Sequence, residues 1–187
     1  MPDDRIGDRP RTGPRPPSRR ETCLAQTFVD VADTLVADFD IVEFLTVLTN
    51  RCVDLFDLSE AGLLLADLPD GVRVVASSSH QMELLELFEL QYDEGPCLDC
   101  YRSGEPVRCD DLHRATERWP RFAPEALNAG WVSVYALPMR LREKTIGSLN
   151  LLRETSRPLE DSDLVAVQAL ADVATIGILQ HLSLIHI

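Results

Sequence analysis

The residues with the most chemical potential lie between Glu94 and His113. Cys97 and Cys100 form a C-x-x-C pair, and Cys109 and His113 follow at x3 spacing. Three cysteines and a histidine could complete a tetrahedral zinc site, since both spacings suit paired ligands. The local sequence also supports another geometry. Pro96 suits the first turn of a helix, which would place Cys97 and Cys100 near one face at i and i+3. There they could pack as small apolar thiols. They could equally serve redox or ligand-contact chemistry, because a helix amino terminus lowers a thiol pKa. On that argument Cys97 is the better redox candidate, through a reversible Cys97–Cys100 disulfide or another thiol modification. A second group of candidates, Trp119, Phe122, Trp131 and Tyr135, holds much of the aromatic content. Tyr135 and Asn150 add polar groups that could contact a ligand or bond to backbone. His80 could be a cap, a surface residue or a ligand.

The elements that must position these residues read in order. Leu24, Phe28, Val31 and Leu35 recur on one helical face, followed by a break at Ala37–Asp40. Asp40 can cap a second helix, whose stripe is Ile41, Phe44, Leu45, Leu48, Cys52 and Leu55. Ala61–Leu68 and Val72–Ser78 flank a Pro69-Asp70-Gly71 turn and read as a hairpin. His80–Leu90 returns to helical spacing. Met82, Leu85, Phe88 and Leu84 are expected inward, and Glu83, Glu86 and Glu89 outward. Val107–Cys109 reads as a short strand, and Arg118–Ala129 as a helix interrupted at Pro120 and Pro124. Trp131–Leu141 and Thr145–Leu152 form two further strands. Ser148 and Asn150 share one face of the second, opposite Gly147, Leu149 and Leu151. A last helix spans Asp161–Gln180, with Leu164, Val167, Leu170, Ala174 and Ile178 on one face. Hairpin-linked strands between terminal helices predict an α+β fold. A central antiparallel sheet would carry the terminal helices on one face and loops with short helices on the other.

The order and several local motifs resemble a GAF domain. The matching segments are Glu94 through Tyr101, Arg118 through Phe122, Ala136 through Leu141, Gly147 through Leu151 and Leu170 through Ile178. More narrowly, they are similar to the amino-terminal half of actinobacterial GAF–ANTAR regulators. That resemblance implies a PAS-like sheet and a sensor rather than an enzyme. The implied pocket is bordered by the Cys97 loop, the Trp119 segment and the central strands. A small-molecule or redox signal would be read there and passed through dimeric terminal helices to a carboxy-terminal RNA-binding ANTAR half that prevents transcription termination. Bilin attachment is unsupported, since Leu98 and not His follows Cys97. The alternatives are a thiol-dependent enzyme such as a methionine sulfoxide reductase, with Cys97 or Cys100 as nucleophile, and a ligand-free dimerisation module. No cofactor is identified.

Composition bounds these readings. The 187 residues carry a net charge of −13. Residues 1–20 hold six arginines against three aspartates, and five of the twelve prolines. They read as a disordered leader of charge +3, which leaves −16 on the rest. So acidic a body is a poor phosphate neutraliser, and direct nucleic-acid contact is not expected from it. Residues 21–180 read as the sensor domain. Residues 181–187 break the expected continuation and read as a non-native tail, with the output half absent. No run approaching the ~20 apolar residues of a spanning helix is expected, nor a signal peptide. A cytoplasmic location with reduced cysteines follows.

Overall fold

The computed structural model describes residues 16–36, 40–67 and 71–185. Most of the predicted break at Ala37–Asp40, most of the Pro69–Gly71 turn and most of the leader lie outside them. Two helices open the chain, α1 (Arg19–Val36) and α2 (Ile41–Phe56). The Asp40 carboxylate accepts from the Val42 and Glu43 amides, each at 2.9 Å. This satisfies two of the donors left over at a helix start. A hairpin of β1 (Glu60–Asp67) and β2 (Gly71–Ser77) follows, then α3 (His80–Tyr92) and α4 (Pro96–Ser103). After β3 (Val107–Cys109) and a 3-10 turn at Leu112–Arg114 come α5 (Phe122–Asn128), β4 (Ser133–Leu141), β5 (Lys144–Arg153) and α6 (Asp161–Ile185).

The strands form one antiparallel sheet in the order β2-β1-β5-β4-β3. The α+β architecture read from the sequence is the one observed. One sheet face meets α2 and α6, with α1 packed against both helices. Leu63, Leu149, Leu151, Leu137 and Met139 fill that interface from the sheet side. The other face is covered by α3 over β2 and β1, and by α4 over β5 and β4. The alternation predicted for β5 holds: Leu149 and Leu151 join the α2–α6 core, while Leu152 joins the opposite one.

Several boundaries differ from the sequence reading. Helix α1 starts at Arg19, inside the segment read as leader, and Arg20 pairs with Asp163 of α6. Helix α6, expected to end at Gln180, continues to Ile185. No Gly or Pro interrupts that stretch. The Arg118–Ala129 helix contracts to Phe122–Asn128, since Trp119 and Pro120 lie in turns before it. One exclusion is also corrected. The Asp161–His181 part of α6 is long and apolar enough to cross a bilayer by length and composition. In this fold Val167, Leu170, Ala174 and Ile178 on that helix are buried against the sheet and α2.

Removing the α2 cap tests the local argument. Asp40→Ala is expected to lower stability by about 1 kcal/mol. Urea denaturation should show a lower midpoint with an unchanged slope.

Candidate functional site

Helix α3 faces the sheet with a side that contains two acids. Met82, Leu85, Glu86 and Glu89 fall at i, i+3, i+4 and i+7, and all four are buried. Leu84 and Leu87 point outward, at 52% and 47% exposure. This overturns the expectation that Glu86 and Glu89 face solvent and that Leu84 faces inward. The helix trades two leucines at its surface for two fully buried glutamates.

Two glycines make room for those acids. Gly62 on β1 lies beneath Glu86, and a Cβ there would run into the Glu86 carboxyl group. Gly95, at φ 151°, lies beside Glu89, and a Cβ there would strike its carboxyl group. Ser77 of β2 donates to Glu86 Oε2 at 2.7 Å, and the Leu98 amide donates to Glu89 Oε1 at 3.0 Å. Ser77, Gly62, Asn150 and Ala136 are paired in sequence across β2, β1, β5 and β4. They form one row under α3 and α4. Glu86 Oε1, Glu89 Oε2 and both amide atoms of Asn150 are buried without hydrogen-bond partners.

Burial dominates the electrostatics. It raises the Glu86 carboxyl well above its usual range, assisted by Glu89 and Glu83 and opposed by the Ser77 hydroxyl. Burial pushes Glu89 up to about 8, against the Leu98 and Cys97 amides, with Asp99 adding to the rise and Arg102 opposing it. Burial thus favours the protonated form of both acids.

Cys97 is fully buried beside them. The Ser148 hydroxyl lies 3.0 Å from Cys97 Sγ and 3.0 Å from the Cys97 carbonyl oxygen. The thiol is pushed well above its ordinary value, first by burial and then by Glu89 and Glu86. The argument that a helix start would favour a Cys97 thiolate is thus corrected: desolvation and neighbouring acids outweigh the helix end. Cys100 is also buried and is raised to about 12 by burial. Both are free thiols here, as are the half-buried Cys109 and the buried Cys52. Among the described residues no group of three or more His, Cys, Asp or Glu side chains converges to hold a metal. Cys97, Cys100, Cys109 and His113 do not meet: His113 is exposed and bonds Asp111. His80 is likewise exposed, beside Glu83, while Ser79 caps α3.

The remaining candidates divide between the faces. Trp119 and Phe122 pack with α3 and α4, edge to face at 6.0 Å. The motif around the cysteines holds them there. Asp99 accepts from Trp119 Nε1 at 3.1 Å and from Arg118, which stacks over the indole. Glu94 accepts from the Arg121 and Phe122 amides at 2.7 and 2.9 Å. Tyr135 does not join this group. It faces the α2–α6 core, donates to Asp110 at 2.5 Å and accepts from the Leu159 amide at 3.0 Å. Its hydroxyl is satisfied structurally, which removes it from the site.

Two predictions follow from this geometry. An unfolded glutamate titrates near 4.3. Between that value and about 8, the folded protein holds more protons on Glu89 than the unfolded chain does. Stability should therefore fall as pH rises through this window and level off above it. In denaturant midpoints measured from pH 5 to 9, Glu89→Gln should flatten that slope. Gly62→Ala should cost about 1–3 kcal/mol by overpacking against Glu86. A double-mutant cycle should show that cost shrinking in a Glu86→Ala background.

Comparison with known proteins agrees with this architecture. A family model for the GAF domain matches residues 40–178. The fold is similar to the GAF domain of a phosphoenolpyruvate-protein phosphotransferase from Coxiella burnetii. That match has a TM-score of 0.70 and 13% identity, and covers 91% of this chain and 100% of that one. It is also similar to free methionine-R-sulfoxide reductase from Neisseria meningitidis in complex with its substrate. Here the TM-score is 0.63 and identity 19%, with 84% and 86% of the two chains covered. A third likeness is a domain of a putative two-component sensor histidine kinase protein from Sinorhizobium meliloti. It has a TM-score of 0.63 and 15% identity, and covers 76% of this chain and 93% of that one. No curated protein sequence matches the chain. The matched span takes in every element from α2 through most of α6, and the chain belongs to the GAF domain family.

Proposed function

We propose that this GAF domain is a sensor whose signal is a small molecule bound between the sheet and the α3–α4 layer. The observation that carries this reading is the buried, incompletely bonded row of Glu86, Glu89 and Asn150. Buried polar groups nearly always find partners, and a partly satisfied network is costly in a dry interior. A ligand that completes it would be held by groups already in place.

In this reading the signal alters the packing of α1, α2 and α6 across the sheet. Those helices expose Val29, Val42, Val47, Val165 and Ile176, apolar side chains that a homodimer would bury. The output would be a carboxy-terminal ANTAR half that binds RNA in the cytoplasm, supported by the motif resemblance from Glu94 through Ile178. The acidic domain itself would leave nucleic acid untouched.

The reductase reading has one supporting observation, the fold shared with methionine sulfoxide reductases. At 19% and 14% identity that likeness concerns the fold alone. Cys97 and Cys100 favour the protonated thiol, which is a poor nucleophile.

Native mass spectrometry of the protein purified without denaturation tests the sensor. A non-covalent adduct is expected, and Asn150→Leu should lose it. Free methionine-R-sulfoxide with a thiol reductant should give no sustained turnover. Bare protein together with turnover abolished by Cys97→Ser or Cys100→Ser would replace the sensor with the enzyme. Light scattering should show a concentration-dependent dimer.

A further inference from the structure

The orphan atoms of the interior define a ligand chemistry. Glu86 sits over Gly62, and Gly62 is the cross-strand partner of Asn150. Glu89 is three residues further along the same helical face. Four polar atoms therefore share one side of the sheet: one oxygen from each glutamate, and the oxygen and nitrogen of Asn150. All three side chains are fully buried.

The charges around them decide what could complete the set. Glu86 is faced by Ser77 from β2 and by Glu83 and Glu89 on its own helix. Glu89 is faced by Asp99 and the Leu98 amide, and Cys97 lies beside both acids. The cations that reach this region are Arg102 toward Glu89 and Arg140 toward Cys100. Each is half exposed and already paired, with Asp93 and Glu105 respectively. Among the described residues no unpaired cation faces this site, so the charge of an anionic ligand would be left without a counter-charge in a dry interior. A metal ion is disfavoured, since no three ligating side chains converge among the described residues.

Resting on the sensor reading above, the geometry points to a small organic cation as the ligand class of this site: a primary ammonium or guanidinium whose N–H groups donate to Glu86 and Glu89, with an adjoining polar atom bonded by Asn150. Carboxylates accept such donors in the strongest hydrogen bonds available to a protein. A bound cation also stabilises the ionised form of two acids whose burial opposes ionisation. Gly62 leaves the Glu86 carboxyl room against β1, and Gly95 leaves the Glu89 carboxyl room against the start of α4, at positions where any larger residue would displace them.

Four probes of matched size test the class: n-butylammonium, n-butylguanidinium, n-butanol and butyrate, each with the whole chain at constant ionic strength. The two cations should raise the thermal midpoint by about 3 °C or more at ten times their Kd. They should also move the amide resonances of Gly62 and Gly95. Glu86→Gln and Glu89→Gln, singly or together, should remove both effects, while the exposed Glu83→Gln should keep them. If the glutamine variants fail to fold, the Gly62 and Gly95 shifts in the unaltered protein decide the matter. A stabilisation by butanol or butyrate that Asn150→Leu abolishes would overturn the cation assignment and leave the sensor reading standing. A cation effect that survives the glutamine variants, or moves only surface amides, would overturn it as a surface effect. No response to any probe would overturn the assignment too, while the adduct in native mass spectrometry reports on the sensor reading separately.

Discussion

Helix α3 must present Glu86 and Glu89 to the inner face of the sheet, and much of the surrounding sequence is shaped by that requirement. Gly62 is small because the Glu86 carboxyl group occupies the space its side chain would need. Gly95 is small for the same reason at Glu89, and its φ of 151° belongs to glycine. Pro96 then starts α4 so that the Leu98 amide, one of the donors a helix start leaves over, points at Glu89. Ser77 supplies the matching donor to Glu86 from the other side. Burying an acid costs far more than burying leucine, and Leu84 and Leu87 lie unused on the outer face. A fold stabilised for its own sake would turn that helix over. Departures of this kind from the most stable arrangement are where functional sites are expected.

The cysteine motif looks different once it is placed. Its residues hold the layer together more than they react. Glu94 caps α5, Asp99 anchors Trp119 and Arg118, and Cys97 shares its thiol and carbonyl with the Ser148 hydroxyl. These contacts tie α4 to β5 on one side and to the α5 segment on the other. Burial and the adjacent acids keep the Cys97 proton on sulfur. The motif is therefore the clamp that closes the α3–α4 layer over the polar row.

The sheet and terminal helices were legible because their apolar periodicities are strong and their turns carry Pro, Asp and Gly. The alternation of Ser148 and Asn150 against Leu149 and Leu151 located the polar face of β5 from spacing alone. The acidic face of α3 was not legible on the rule that charge faces water. A signal was present: Met82, Leu85, Glu86 and Glu89 make a complete i, i+3, i+4, i+7 stripe, whereas a stripe through Leu84 and Phe88 does not fit the same helix face. Gly62 inside a strand was a second signal, since an interior glycine often marks a close approach. Tyr135 was misplaced among the site candidates because aromatic clustering along the chain ignores strand alternation. Val134 and Ala136 face the α3–α4 layer, so Tyr135 between them must face the other way.

The sheet is the only layer between the polar row and the terminal helices, and its strands connect the two by covalent alternation. On β5, Asn150 stands between Leu149 and Leu151, which pack in the α2–α6 core. On β4, the Pro138 carbonyl accepts from Gln168 of α6 at 2.9 Å, and Pro138 is the cross-strand partner of Ser148, which in turn bonds Cys97. A group bound against Asn150 or pressed on α4 therefore bears on β5 and on its neighbour β4, the strand that seats α6. Such a connection transmits a signal only if the ligand binds one packing of the helices more tightly than the other. Packed cores shift between discrete arrangements rather than deforming smoothly. The requirement thus falls on β4 and β5: their two faces must be unable to rearrange independently. The Gln168–Pro138 bond adds a directional tie between α6 and β4 to the apolar contacts they share.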